Sequence, residues 1–413
     1  MEPEIPAKDA YNFVYFTFLA LGMAILLPWS SLVTALDYFI VKLPGHDVDF
    51  VVSILSNGPF FATNVLMIIF GKWFGVKRVV GICMMLMMVL TLALPLIPQV
   101  AGSESAWIWV VSIIITISAV NGVMQCCAYG LAGSLADHNI ATLNTGIGLS
   151  GLTVSIARAI SLVFFPTDGT SENENFFYGA IMYFAIGGVF LIIGVILLVI
   201  LPKTRYYQYH IDEEEDKEYL ACLGRGDSPV TTPLLPDNSY KNVESFSHMM
   251  KIHNELLITG YGFTFIYIQT FCVYPAVLLK GNLSFLNSKS WEVWLIITIF
   301  CLMDTISRII SEKLMLLTHK TTALFTMLRW VPIIFCFFSA YEVPFFSLDA
   351  FKLVNLVIIG FSNGYIGNCQ IMVSVDKASA EEKEITAKFL SAFRILGVLV
   401  GSLVSSFGIV HMF

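Results

Sequence analysis

The sequence predicts an all-α integral membrane protein of about eleven transmembrane helices, arranged six and five about a polar central segment. Three observations carry that expectation. Of 413 residues, 57% are hydrophobic and only 13% charged, with a mean hydropathy of +0.78, whereas a soluble domain carries about 25% charged residues. Apolar runs of about 20 residues, enough to cross a bilayer, recur along the whole chain. A single polar stretch, residues 202–251, separates the runs into two groups.

Taken in order, runs near 11–41, 49–71, 78–99, 105–136, 141–166 and 176–201 make an N-terminal six-helix bundle over residues 1–201. The first run is too long for a signal-peptide core and reads as a retained span. Residues 202–251 hold "HIDEEEDKEY" and "GDSPVTTPLLPDNS". Such charge runs and Pro/Ser content mark a flexible cytosolic loop, not a further folded domain. Runs near 252–279, 290–316, 321–341, 351–375 and 385–411 then make a C-terminal five-helix bundle over 252–413. With the N-terminus in the cytosol, most Lys and Arg fall inside, and the outer loops hold only Lys42, Lys280, Lys289 and Lys352. That bias, with an odd number of spans, puts the C-terminus outside. Asn282, in the sequon Asn282-Leu-Ser, is then an outer glycosylation candidate.

Composition also removes several functions. A net charge of −7 and a pI near 5.5 argue against a nucleic-acid partner. Seven of the eight cysteines lie in apolar runs and read as reduced, small hydrophobes. No CxxC or HExxH pattern points to a metal, and no GxxxxGK[ST] loop points to ATP-driven pumping. No nucleophile–base pairing suggests an enzyme, and no cofactor is implied.

The informative residues are the polar ones placed where lipid should be. Arg158, Arg308, Arg329, Arg394 and Asp304 all sit inside expected spans, where each charge costs at least about 2.5–3.5 kcal/mol at a helix centre. They must therefore face the bundle interior or a wet cavity. Arg329 and Arg394 serve equally well as pins between helices or as snorkelling side chains. Asp304 and Arg308 in "CLMDTISRII" are four apart, share a helix face and can pair. A buried pair roughly cancels its own desolvation, so this one points to a polar cavity or a gate. Asp304 is the only carboxylate deep in a span. Gln125, in "AVNGVMQCCAYGLAGSLAD", offers a donor and an acceptor on one amide. That suits the edge of a heterocycle or a sugar hydroxyl, and equally an interhelical hydrogen bond. The surrounding glycines read as packing residues.

Five motifs in order resemble those of the equilibrative nucleoside transporter family. "GMAILLPWSSL" resembles its first-helix Leu-Pro-Trp-Asn signature. "QCCAYGLAGSL" with "NTGIGLSGL" resembles its Gln-x-x-x-x-Gly-Leu-Ala-Gly run and following turn. "MDTISR", "LRWVPIIFCF" and "GFSNGYIG" resemble its eighth-, ninth- and tenth-helix motifs. The resemblance covers nearly the whole chain and implies a major-facilitator-like fold, with substrate held between two bundles and alternating access. It implies that Trp29, Ser30, Gln125, Asp304 and Arg308 bind substrate. The glutamine would meet the nucleobase, the Asp and Arg the ribose or base, and the tryptophan would wall the cavity. Arg158, Arg329, Asn363 and Arg394 form a second tier of cavity or gating candidates. The chain departs from the family at Ser30, Ile147 and Ser307, which stand where relatives carry Asn, Gln and Gly. These departures bear on substrate preference.

The function expected is facilitated diffusion of nucleosides, with nucleobases as further cargo, by a monomer in a lipid bilayer. The rivals are a proton-coupled form and a same-fold carrier for another small polar solute. Four deep arginines against one aspartate disfavour an organic cation. The expected membrane is the plasma membrane, with an intracellular one as alternative. The dileucine of "TTPLLP" is discounted because Val230 stands where a sorting signal needs an acid.

Overall fold

The computed structural model describes residues 9–44, 46, 48–71, 76–135, 137–166, 172–209, 246–274, 277–280, 283–286, 288–379 and 382–409. Every regular element among them is helical. The long helices are α1 (Phe13–Thr34), α2 (Val48–Phe70), α3 (Val76–Ala93), α4 (Ser103–Leu135), α5 (Asp137–Phe164), α6 (Glu172–Ile200), α7 (Leu257–Val273), α8 (Lys289–Lys313), α9 (His319–Ala340), α10 (Asp349–Asp376) and α11 (Lys383–Leu403). Nine helices among the described residues are long and apolar enough to cross a membrane, or ten if the bent pair at Leu256 is one span. The difference from the expected eleven lies in α2, whose apolar part, Leu55–Phe70, is shorter than a full crossing. Asn282 and residues 210–245 of the central segment lie outside the described residues, and the end of that segment is helical, within Phe246–Glu255.

Local chemistry explains where helices start and break. Both oxygens of Asp9 accept from the free backbone N–H groups of Val14 and Tyr15, at 3.0 and 3.1 Å, and so anchor the start of α1. Helix α9 is interrupted at Arg329, because Pro332 has no N–H and its ring clashes with the carbonyl one turn earlier. A bend of 64° separates His248–Glu255 from α7.

Close approach of α1 and α5 depends on two glycines. A Cβ on Gly22 would lie 2.0 Å from the carbonyl oxygen of Leu143, and one on Gly146 would lie 2.1 Å from that of Leu19. Small residues of this kind replace the missing hydrophobic drive between helices in lipid. Among the first six helices, α1 packs on α5 and α6, and α4 on α2 and α3. Among the last five, α8 packs on α10 and α7 on α11. The two groups meet through α5 with α8 and α10, and through α11 with α2 and α4. Large apolar side chains such as Ile82, Val89, Ile196, Val199, Leu324 and Val331 are exposed, as a lipid-facing surface requires.

Candidate functional site

A cavity of about 1150 Å³, part of it open to solvent, lies between the two groups of helices. The i, i+4 spacing on α8 aims Asp304 and Arg308 into it. Their pairing is bidentate: Arg308 Nε donates to Oδ2 at 2.9 Å and Nη2 to Oδ1 at 3.1 Å. The remaining valences are also used. Arg308 Nη1 donates to the carbonyl oxygen of Asn144 on α5 at 3.1 Å, and Nη2 to the Tyr267 hydroxyl on α7 at 3.4 Å. Asn363 Nδ2 on α10 donates to Asp304 Oδ1 at 2.7 Å. Helix α5 passes this close because residue 148 is glycine: a Cβ there would lie 2.9 Å from Arg308 Cδ and 3.0 Å from Asp304 Oδ2.

Gln125 on α4 reaches the cavity from the other side. It is only 1% exposed, and its Nε2 donates to Ser391 Oγ on α11 at 3.4 Å, a hydroxyl that also accepts from Asn64 on α2 at 2.7 Å. Trp29 and Ser30 on α1 line the cavity. The Trp29 ring meets Phe271 edge-on at 6.1 Å, and Tyr274 stacks on Phe300 at 4.5 Å, so much of the wall is aromatic. Arg394 on α11 lines the cavity with its guanidinium carbon 5.3 Å above the Tyr267 ring, and its buried Nη1 has no hydrogen-bond partner.

The structure thus brings Trp29, Ser30, Gln125, Asp304, Arg308, Asn363 and Arg394 to one cavity and leaves Arg158 and Arg329 off its wall. Arg158 is instead tied to Asp37 at 2.6 Å, just beyond the end of α1, with the Tyr183 hydroxyl at 3.3 Å. Its charge is matched at the helix ends, so it pins α1, α5 and α6 together. Arg329 is a pin among α7, α9 and α10. It donates to the Ile266 carbonyl at 2.8 Å, Ser362 Oγ at 3.0 Å and Thr270 Oγ1 at 2.7 Å. It touches the cavity only indirectly, because Thr270 and Asn363 line it and Thr270 donates to Asn363 Oδ1 at 2.6 Å.

Toward the face that carries the start of α1, polar tiers close the space beneath Arg308. Asn144 Nδ2 donates to Asn368 Oδ1 at 3.2 Å, and Asn368 Nδ2 donates to Ser311 Oγ at 2.9 Å. One turn beyond Arg308, Glu312 accepts from Thr145 on α5 and, at 3.5 Å, from the Tyr15 hydroxyl on α1. Asp304 is therefore not the only carboxylate of α8 turned inward, since Glu312, half-buried, reaches two other helices and Glu292, near the other end, is 4% exposed. Sequence reasoning passed over Tyr267, Asn144, Asn368 and Glu312. Asn144 carried a signal, as the first residue of the "NTGIGLSGL" motif, and Asn368 stands immediately after "GFSNGYIG". Tyr267 carried none that separates it from Tyr261, which is 40% exposed.

Comparison with known proteins adds an independent line. A family model described as "Nucleoside transporter" matches residues 111–411. Equilibrative nucleoside transporter 1 of Homo sapiens is 24% identical, over 96% of this chain and 97% of its own length. Equilibrative nucleotide transporter 1 of Arabidopsis thaliana is 21% identical, over 98% of this chain and 87% of its own. Among solved structures, the major facilitator superfamily proton:xylose symporter XylE, bound to 6-bromo-6-deoxy-D-glucose, superposes with a TM-score of 0.65 at 12% identity, covering 98% of this chain and 90% of its own. The E. coli fucose:proton symporter FucP superposes with a TM-score of 0.58 at 13% identity, covering 96% and 91%. At such identities the structural likeness speaks for the fold alone, which is that of the major facilitator superfamily.

Proposed function

The chain belongs to the nucleoside transporter family, and on that premise we propose that it is an equilibrative carrier whose cargo binds in the cavity between α1–α6 and α7–α11. The observation that carries the reading is the convergence of Gln125, the Asp304–Arg308 pair and an aromatic wall on one space. Nucleosides are neutral, flat and rich in hydrogen-bonding edges. An aromatic surface supplies stacking area, an amide reads a base edge, and a fixed carboxylate–guanidinium pair meets ribose hydroxyls. Such sites lie near the bilayer midplane at the interface between repeats. Nucleobases, lacking the sugar, belong to the same cargo class with fewer contacts.

Movement in this proposal is alternating access. The Glu312–Thr145–Tyr15 contacts and the Asn144–Asn368 tier join the two helix groups on the face holding the start of α1. Rocking of the six-helix unit against the five-helix unit would break them and open that face. Retained from the sequence are an N-terminus in the cytosol, a C-terminus outside, glycosylation at Asn282, a monomer and residence in the plasma membrane. Counterflow tests the carrier reading directly. Proteoliposomes preloaded with unlabelled uridine should transiently accumulate labelled uridine above its external level. Labelled uridine that merely equilibrates, with no overshoot, identifies a pore or an unrelated activity.

One observation favours a proton-coupled variant as the second reading. Asp304 is held by Arg308 and Asn363, whereas Glu312 is bonded by hydroxyls alone. Uptake that accumulates substrate only under an inward proton gradient, and loses that dependence in Glu312→Gln, would select it.

A further inference from the structure

Arg394 is the charge in the cavity that the protein itself leaves unmatched. Arg158 has Asp37 and Arg308 has Asp304, while Arg329 is enclosed by backbone and side-chain oxygens. No carboxylate among the described residues pairs with Arg394, whose residue is 6% exposed and whose Nη1 is without a partner. A buried cation with free N–H groups is costly unless something supplies acceptors. Of its neighbours, Tyr129 accepts a side-chain hydrogen bond from the guanidinium and Tyr267 lends a ring face, and neither is a carboxylate. Tyr267 covers a face of the guanidinium, and Nη1 keeps a donor for which the protein supplies no acceptor.

The position of Arg394 relative to Gln125 narrows what that something is. Gly133 lies against Lys383, Gly130 against Lys388 and Gln125 against Ser391, so α4 and α11 run antiparallel. One turn onward from the Gln125–Ser391 contact, α4 presents Asn121 and α11 presents Arg394, and both line the cavity. Asn121 Oδ1 is likewise buried without a partner. An orphan donor and an orphan acceptor therefore belong to two residues that line the space beside the residue proposed to read the base.

We propose that Arg394 and Asn121 form a base-reading pair that makes this carrier selective for 6-oxopurine nucleosides, such as inosine and guanosine, over adenosine. The proposal rests on the carrier reading of the same cavity. Guanidinium donates only and never accepts. A 6-oxopurine presents N7, O6 and N1–H along one edge: two adjacent acceptors, the pair an arginine reads bidentately, then a donor that suits Asn121 Oδ1. Adenine places an amino group at the 6 position, setting donor against donor, and an acceptor at N1, against another acceptor. The selectivity therefore includes a repulsive element as well as an attractive one.

The test is competition binding to the intact purified protein with inosine, guanosine, adenosine and 7-deazaguanosine, which lacks the N7 acceptor. The parent should bind inosine and guanosine roughly tenfold or more tightly than adenosine or 7-deazaguanosine, the ratio a bidentate base contact gives. In Arg394→Met the ratio should collapse to near one. Equal binding of all four by the parent overturns the inference, needs no variant, and leaves the carrier reading standing. Binding of none of them, nor of uridine, overturns the carrier reading and this inference with it.

Discussion

Asp304 and Arg308 illustrate why a charge in a lipid-embedded helix is informative at the level of the sequence alone. Burial makes each charge expensive on its own, so the i, i+4 spacing on α8 implies a partner, and the partner is there at 2.9 Å. Removing one member strands the other. Asp304→Ala should cost about 3–5 kcal/mol, read as a large fall in melting temperature, and Asp304→Ala with Arg308→Ala together should cost less than the sum of the two. Arg158 gives the contrasting case. Its partner Asp37 is 47% exposed, so the pair is screened and contributes at most about 1 kcal/mol. Arg158→Gln should shift melting slightly and leave nucleoside affinity as in the parent. A large loss of affinity in that variant would return Arg158 to the cavity. Charge alone makes the arginines legible in the sequence, but it cannot say which of them lines the cavity. Arg158 and Arg394 look alike as letters, and only the placement of Asp37 beyond the end of α1 distinguishes them.

At the scale of the helix, what decides packing is where a Cβ has no room. Gly22 on α1 sits so close to α5 that a Cβ would reach the Leu143 backbone oxygen at 2.0 Å. Gly22→Val should therefore separate the two helices and leave little monodisperse protein. At Gly58 on α2 a new Cβ meets nothing within 4 Å, so Gly58→Ala should be neutral or stabilise by about 0.5–1 kcal/mol through backbone entropy. Size-exclusion profiles and melting curves of the two variants check both outcomes. The sequence places these helices well because a run of apolar residues encodes depth in the bilayer directly. It does not place their interruptions equally well: the break at Arg329 needs the geometry of Pro332, and the bend at Leu256 follows no residue signal. Nor can the sequence show that Gly148, within a generally glycine-rich stretch, is the position where α5 passes the Asp304–Arg308 pair.

Across the whole molecule, the cavity reaches Ser56, Leu94 and Ile114 at one end, while at the other Glu312, Thr145 and Tyr15 draw the two helix groups together. A carrier must be able to exchange that arrangement for its converse. Cysteines at Thr145 and Glu312, joined by a disulfide, should stop uptake and counterflow while nucleoside binding persists, and reduction should restore transport. Continued transport in the crosslinked protein would place the moving contact elsewhere. Transport of this kind depends most on the identity of the cavity itself. The most direct measurement is the thermal-stability shift given by uridine and inosine to the parent, Gln125→Ala, Arg308→Ala and Arg158→Gln. Cargo binding in this cavity predicts stabilisation of the parent and of Arg158→Gln, with the shift lost in Gln125→Ala and Arg308→Ala. Equal shifts in all four proteins would contradict it.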